Sequence, residues 1–259
     1  MSSTAPPTNL WHPFDILGKE ELAVAGNLRD AEVSGAWSGT YTERVTRWFK
    51  DKSDPDRQWR PTVDDKPGIR LTCRPEGDRL KVEVEQDVQQ MISHLLTATM
   101  ECSASGWRSP SKWTAKHTFA KTGRAKEFLP EVEETGRWES GTLTQTSQGR
   151  ETAMTKSRPA HSLASIYTLL ASFPEAAEVD GLGKTTFLQE GFVPTVDSEL
   201  VPCPQLLQKH PLAHGLRGYT LLNKGNFPAD YWVNESGVVI YLCMGPHRAM
   251  VLESIQSIS

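Results

Sequence analysis

The stretch IRLTCRPEGDRLKVEVEQ, Ile69 to Gln86, decides the fold class. Ile69, Leu71 and Cys73 alternate with Arg70, Thr72 and Arg74. Pro75-Glu76-Gly77-Asp78 supplies a turn, and Leu80, Val82 and Val84 then alternate with Lys81, Glu83 and Glu85. A period of two sends successive side chains to opposite faces of a strand. The stretch therefore predicts an antiparallel hairpin with one buried face and one wet face.

The same texture recurs on both sides. AWSGTYTERVTRWF (36–49) is rich in Thr and aromatic residues and predicts a strand with Trp37, Tyr41 and Val45 on one face. KWTAKHTFAK (112–121), GRWESGTLTQTSQ (136–148), GRETAMTKS (149–157), FLQEGF (187–192), RGYTLLNKG (217–225), YWVN (231–234), GVVIYLCM (237–244) and RAMVLESI (248–255) also read as extended. VQQMISHLLTATMECS (88–103) carries two periods, and a strand is expected after His94. Helices are expected at 160–173, where Leu163, Ile166, Tyr167 and Leu170 recur at helical spacing after Ser162 as a cap, and more weakly at 19–31. The segment 51–68, with three prolines, reads as a polar loop, and 193–211 as a loop laid over the sheet.

About ten strands with turns between them and one or two helices predict a mainly β protein. The expected fold is a curved antiparallel sheet, a barrel or half-barrel of lipocalin-like general shape, with the helix packed on or in it. One domain spans 19–259 after a flexible segment 1–18. The inner face would carry Val82, Val84, Trp113, Phe119, Tyr219, Trp232 and Val239.

Composition narrows the function classes. In 259 residues, a net charge of −4 with both signs interspersed leaves no extended basic field, which argues against nucleic acid or an anionic membrane surface as main partner. No run of eighteen apolar residues exists to span a bilayer, and the N-terminal residues lack the pattern of an export signal, so a cytoplasmic location is expected. The four cysteines are scattered without a CxxC and read as small buried hydrophobes.

Several chemical motifs fail on inspection. GLGKTT (181–186) resembles the end of a phosphate-binding loop, but the position needing the first glycine is Glu178 and its lead-in is acidic. His210 and His214 have the spacing of metal ligands, yet Pro211 intervenes and the companion glutamate is missing, so loop histidines and no metal are expected. No GxSxG elbow is present, and nothing calls for a cofactor.

Eight tryptophans are a large aromatic complement for either a core or a pocket. The leading expectation is a small hydrophobic or ring-bearing molecule bound in a barrel-like pocket lined by Trp113, Phe119, Tyr219, Tyr231, Trp232 and Tyr241. A second is a cofactor-independent isomerase, lyase or hydrolase, with His117 or His247 as acid/base and Arg248 as anion clamp. A third is an interaction module using tryptophan-bearing sheet edges. An apolar pocket, a pair of converging titratable groups, or a filled interior with an exposed aromatic patch would separate the three.

Overall fold

The computed structural model describes residues 28, 30–50, 59–89, 93–103, 108–119, 131–147, 150–155, 163–173, 185–203, 213–223, 228–245 and 248–258. The segment 1–18, most of the helix expected at 19–31, and His247 lie outside these residues.

Eight strands form a first meander: β1 (Trp37–Lys50), β2 (Trp59–Glu76), β3 (Arg79–Gln89), β4 (Ser93–Ser103), β5 (Pro110–Phe119), β6 (Val132–Glu139), β7 (Thr142–Ser147) and β8 (Arg150–Thr155). The chain then makes β9 (Leu163–Ser165) and a short helix, α1 (Ile166–Ala171). A second meander follows: β10 (Thr185–Leu188), β11 (Pro194–Pro202), β12 (Arg217–Leu222), β13 (Ala229–Val233), β14 (Val239–Met244) and β15 (Arg248–Ser257). All fifteen belong to one sheet, ordered 8-7-6-5-4-3-2-1-15-14-13-12-11-10-9. The last strand thus lands beside the first, and the ladder from Trp37–Ser257 to Val45–Arg248 joins the two meanders. Every pairing among the described residues is antiparallel except the short parallel one between β9 and β10.

The sheet is a large curved half-barrel rather than a closed barrel, since no ladder among the described residues joins β8 to β9. It wraps around α1. All six residues of that helix are buried, which is expected of a helix apolar on every side and surrounded by protein. The helix touches β2 and β3 of one meander and β14 of the other. Tyr41 on β1 fixes the contact by donating from its hydroxyl to Val239 O at 2.9 Å and, more weakly, to Leu170 O at 3.4 Å.

The helix is shorter than its apolar spacing predicts. Leu163 to Ser165 pair in parallel with Thr186 to Leu188, so the segment stays extended up to Ser165. Ser165 and not Ser162 is the cap. Its Oγ accepts from Thr168 N, and Thr168 Oγ1 accepts from Ser165 N, a reciprocal capping box.

Parts of two expected loops are strands. Residues 59–67 extend β2 along β1, and 194–202 form β11. In β2 the ladder with β3 begins only at Ile69–Gln86, so the prolines at 61 and 67 lie where one side of the strand is unpaired. A residue without an N–H is tolerated there. The expected hairpin is present as read: Val82 and Val84 are buried, while Lys81, Glu83 and Glu85 face outward among ion pairs with Arg70 and Arg74. All four cysteines are buried free thiols, and burial raises the pKa of each.

Candidate functional site

The inner face carries a buried polar cluster built around a tight 3-10 turn, Glu190–Phe192, that follows β10. Gly191 and Phe192 both adopt the left-handed region, with φ of 66° and 59°. That conformation is ordinary for glycine but rare for a bulky side chain, which must be held in place by its surroundings. Here the Phe192 ring is fully buried, stacked on Trp113 at 5.6 Å and tilted against Tyr167 at 5.3 Å. Its carbonyl accepts from Gln145 Nε2 at 2.9 Å.

This turn brings Glu190 into the interior. Arg248, the first residue of β15, grips Glu190 with Nη1 to Oε2 at 2.7 Å and Nη2 to Oε1 at 3.0 Å. Its Nε donates to Glu43 Oε1 on β1, also at 2.7 Å. Gln86 on β3 donates to Glu190 Oε1 at 2.5 Å and accepts from the Tyr167 hydroxyl at 2.7 Å. Tyr167 in turn accepts from Gly191 N at 3.2 Å. Both meanders, the helix and the turn therefore meet at one network.

Two carboxylates against one guanidinium leave the cluster with a formal charge of −1. Burial works against the charge on Arg248, but hydrogen bonds and attraction from Glu190 and Glu43 outweigh it and hold its pKa above the ordinary value. Burial likewise keeps Tyr167 neutral, its pKa raised further by Glu190. Glu43 is nearly inaccessible, and its Oε2 has no hydrogen-bond partner among the described residues.

Beside the network lies a cavity of about 240 Å³. Ile166, Phe187, Leu221, Ala229, Tyr231 and Met244 form its apolar wall, and Gln189, Glu190, Asn223 and Arg248 contribute polar groups. Asn223 Oδ1 is buried there without a hydrogen-bond partner among the described residues.

The residues singled out from sequence fall into three groups. Arg248 and Tyr231 line this cavity. Tyr219 faces the same interior, its ring 4.9 Å from Phe173, which also packs on Tyr231. Trp113 is buried in the neighbouring aromatic stack, and Phe119 packs 5.0 Å from His94. Trp232 and Tyr241 point the other way. They are cross-strand partners, and Trp232 is directly opposite Gly218, whereas Tyr231 is opposite Tyr219 and Leu242. Adjacent residues on a strand take opposite faces, so these two lie off the cavity side, against the expectation that placed Trp232 on the inner face.

His117 is buried beside the Glu190–Phe192 turn, where a Cβ on Gly191 would come within 3.8 Å of its Cε1. Burial, and then the neighbouring His94 ring at 5.1 Å, lower its pKa and keep it neutral. Arg248 is engaged by two internal carboxylates, so an incoming anion would have to compete with both. Glu190 and Arg248 are titratable groups that converge on the cavity, but as a bidentate ion pair they hold each other rather than offering a free acid or base.

Glu43, Gln86, Tyr167, Glu190 and Asn223 were not foreseen. For two of them a signal exists. Glu43 continues the inward parity of Trp37 and Tyr41, and Gln86 that of Val82 and Val84, so each is a polar residue at a core position. Among the described residues no group of three or more His, Cys, Asp or Glu side chains is arranged to hold a metal, and no helix is long and apolar enough to cross a membrane.

The aromatic stack makes one testable contribution to pH dependence. Glu134 accepts from Trp113 Nε1 at 3.2 Å and from Gln145 Nε2 at 3.3 Å, while its partial burial raises its pKa. A carboxyl whose folded pKa is raised stabilises the fold at low pH and loses that contribution as pH rises through the folded value. Glu134→Gln keeps the acceptor oxygen and removes the charge. Thermal melts should show a higher Tm for the variant at pH 7, with the gain shrinking toward pH 4. A gain independent of pH would reject this origin.

No protein-family model matches the chain, and no curated protein matches it. Among solved structures it is similar to the crystal structure of a beta-barrel-like protein of the domain of unknown function DUF1849 from Brucella abortus. The two share 9% sequence identity with a TM-score of 0.38, over 86% of this chain and 97% of that one.

Proposed function

We propose that the protein binds a small, mainly apolar or ring-bearing molecule in the cavity between α1 and the second meander. The observation that carries this reading is the unpaired Asn223 Oδ1 in an otherwise largely apolar cavity wall. A buried acceptor left without a donor costs roughly 1–3 kcal/mol, and a ligand bearing a hydroxyl, amide or amine donor would recover that cost. Charge points the same way. With the adjoining cluster at −1 and Arg248 already shared by two carboxylates, a neutral or cationic ligand suits the cavity better than an anion. A volume of about 240 Å³ is below the roughly 300–1,000 Å³ of drug-sized sites, which favours a single-ring compound over a long lipid chain.

The test fills the cavity while leaving every member of the ion cluster in place. Ala229→Phe places a ring into the space beside Leu221 and Met244, its cross-strand neighbours. Native mass spectrometry of the wild type should reveal a retained small molecule, or a screen of phenols and aromatic amines should raise its Tm. Ala229→Phe should lose both effects while keeping its own unliganded Tm. A variant that binds as well as wild type would overturn the proposal, as would a wild type that neither retains nor responds to any such compound.

A further inference from the structure

A second cavity, of about 260 Å³, lies at the opposite end of β12, and its chemistry is unlike the first. Arg217 opens β12, four residues before the Leu221 that lines the apolar cavity, which separates the two by about 13 Å along the strand. Arg108, Ser172, Arg217, Glu235 and Ser236 line this second space.

We propose that this cavity is a binding site for a small organic oxyanion, a carboxylate or phosphate ester, held between Arg108 and Arg217. Among the described residues neither guanidinium has a carboxylate partner within ion-pair distance. Arg108 Nε donates to Ser172 Oγ at 3.2 Å, and Arg217 Nη2 to the Asn234 carbonyl at 3.3 Å. Both contacts are to neutral oxygens and leave each guanidinium with spare N–H groups. Arg217 Nε is buried and makes no hydrogen bond among the described residues. Planar guanidinium forks match the paired oxygens of carboxylate and phosphate, and two of them facing one space form a clamp.

The backbone that carries each arginine is held by hydrogen bonds. Arg108 adopts a left-handed backbone, φ 51°, in the connection between β4 and β5, where Ser103 N donates to Ser109 O. That conformation is uncommon for a long side chain and fixes the direction in which it leaves the chain. Arg217 rests on the Asn234–Gly237 turn. In that turn Asn234 Oδ1 accepts from both Ser236 N and Val238 N, Asn234 Nδ2 donates to Ala31 O, and Gly237 O accepts from Phe173 N. A clamp pre-set in this way loses little freedom when the ligand arrives. Glu235, exposed at the rim, reduces the excess positive charge of the cavity to one.

Calorimetric titration of the full chain with inorganic phosphate, and separately with succinate, tests the site at constant ionic strength. At least one probe should bind with 1:1 stoichiometry. Arg217→Gln and Arg108→Gln should each weaken that binding by about tenfold or more, the loss expected for one charge-assisted fork. Glu235→Gln should tighten it by a few-fold. Which probe binds better separates the phosphate source from the carboxylate source. If Arg217→Gln fails to fold, the Arg108 and Glu235 variants carry the test, since both residues sit outside the strands. No binding of either probe at tens of millimolar would overturn the proposal. So would binding that both arginine variants leave unchanged, and Ala229→Phe should have no effect here.

Discussion

Arg248→Met should lower the stability of the protein by about 3 kcal/mol or more. The side chain is nearly isosteric with the aliphatic part of arginine, so packing is largely kept and the loss is electrostatic. Removing it strands the Glu43 and Glu190 carboxylates, which are 1% and 9% exposed and already number one more than their cation. Breaking a buried pair by deleting one partner typically costs 3–5 kcal/mol, and the lower end applies because Arg248 itself is 29% exposed. In a protein of this size each kcal/mol moves Tm by roughly 2–4 °C, so a fall of about 6–12 °C is expected in calorimetry. Arg248→Lys should recover only part of it, since one ammonium cannot span the three carboxylate oxygens that the guanidinium reaches. The decisive variant is Arg248→Met with Glu43→Gln and Glu190→Gln. If charge stranding is the cause, removing all three charges should restore most of the lost Tm. A triple variant as unstable as the single one would mean that Arg248 acts through packing instead.

The location of this cluster explains why it was only half legible. Inward parity is a strong signal where one face of a strand is wet, as in Ile69–Gln86, and there the buried residues follow the alternation. Glu43 and Gln86 sit on that parity and are visible as polar exceptions to it. Glu190 is not, because it enters the interior through a turn whose Gly191 and Phe192 have left-handed φ and obey no period. In β13 and β14 almost every residue is buried, so alternation no longer says which face is which. That is why Trp232 and Tyr241 could be taken for pocket residues beside Tyr231. The Asn234–Gly237 turn is readable as the break between YWVN and GVVIYLCM, both of which read as extended. The cavity it frames was not, because Arg108 and Arg217 are 109 positions apart and only the wrapping of the sheet around α1 brings them together.

Gly136→Ala is expected to cost about 2–3 kcal/mol, although it adds one methyl group to an exposed-looking strand. Trp113 and Gly136 are directly opposite each other on β5 and β6, and the indole lies across the glycine. A Cβ at 136 would stand 1.9 Å from Trp113 Cζ2 and 2.0 Å from Cε2, far inside contact distance, so the ring must move. It has little room, because Phe192 is stacked on it with an interplanar angle of 11° and is itself fully buried. Displacing the indole also breaks its hydrogen bond to Glu134. Overpacking a tight core typically costs 1–3 kcal/mol, and a lost buried hydrogen bond adds about 1. The contrast is Gly77, whose Cβ would meet nothing within 4 Å, so that Gly77→Ala carries only the cost of its positive φ. Near-ultraviolet circular dichroism should change for Gly136→Ala and stay unchanged for Gly77→Ala. Adding Trp113→Phe to Gly136→Ala removes the part of the ring that collides, so the double variant should be less destabilised than the sum of the two singles. Strict additivity would show that the methyl group is accommodated without moving Trp113, and the stack beneath the Glu190–Phe192 turn would then not be the rigid support that holds Glu190 in the interior.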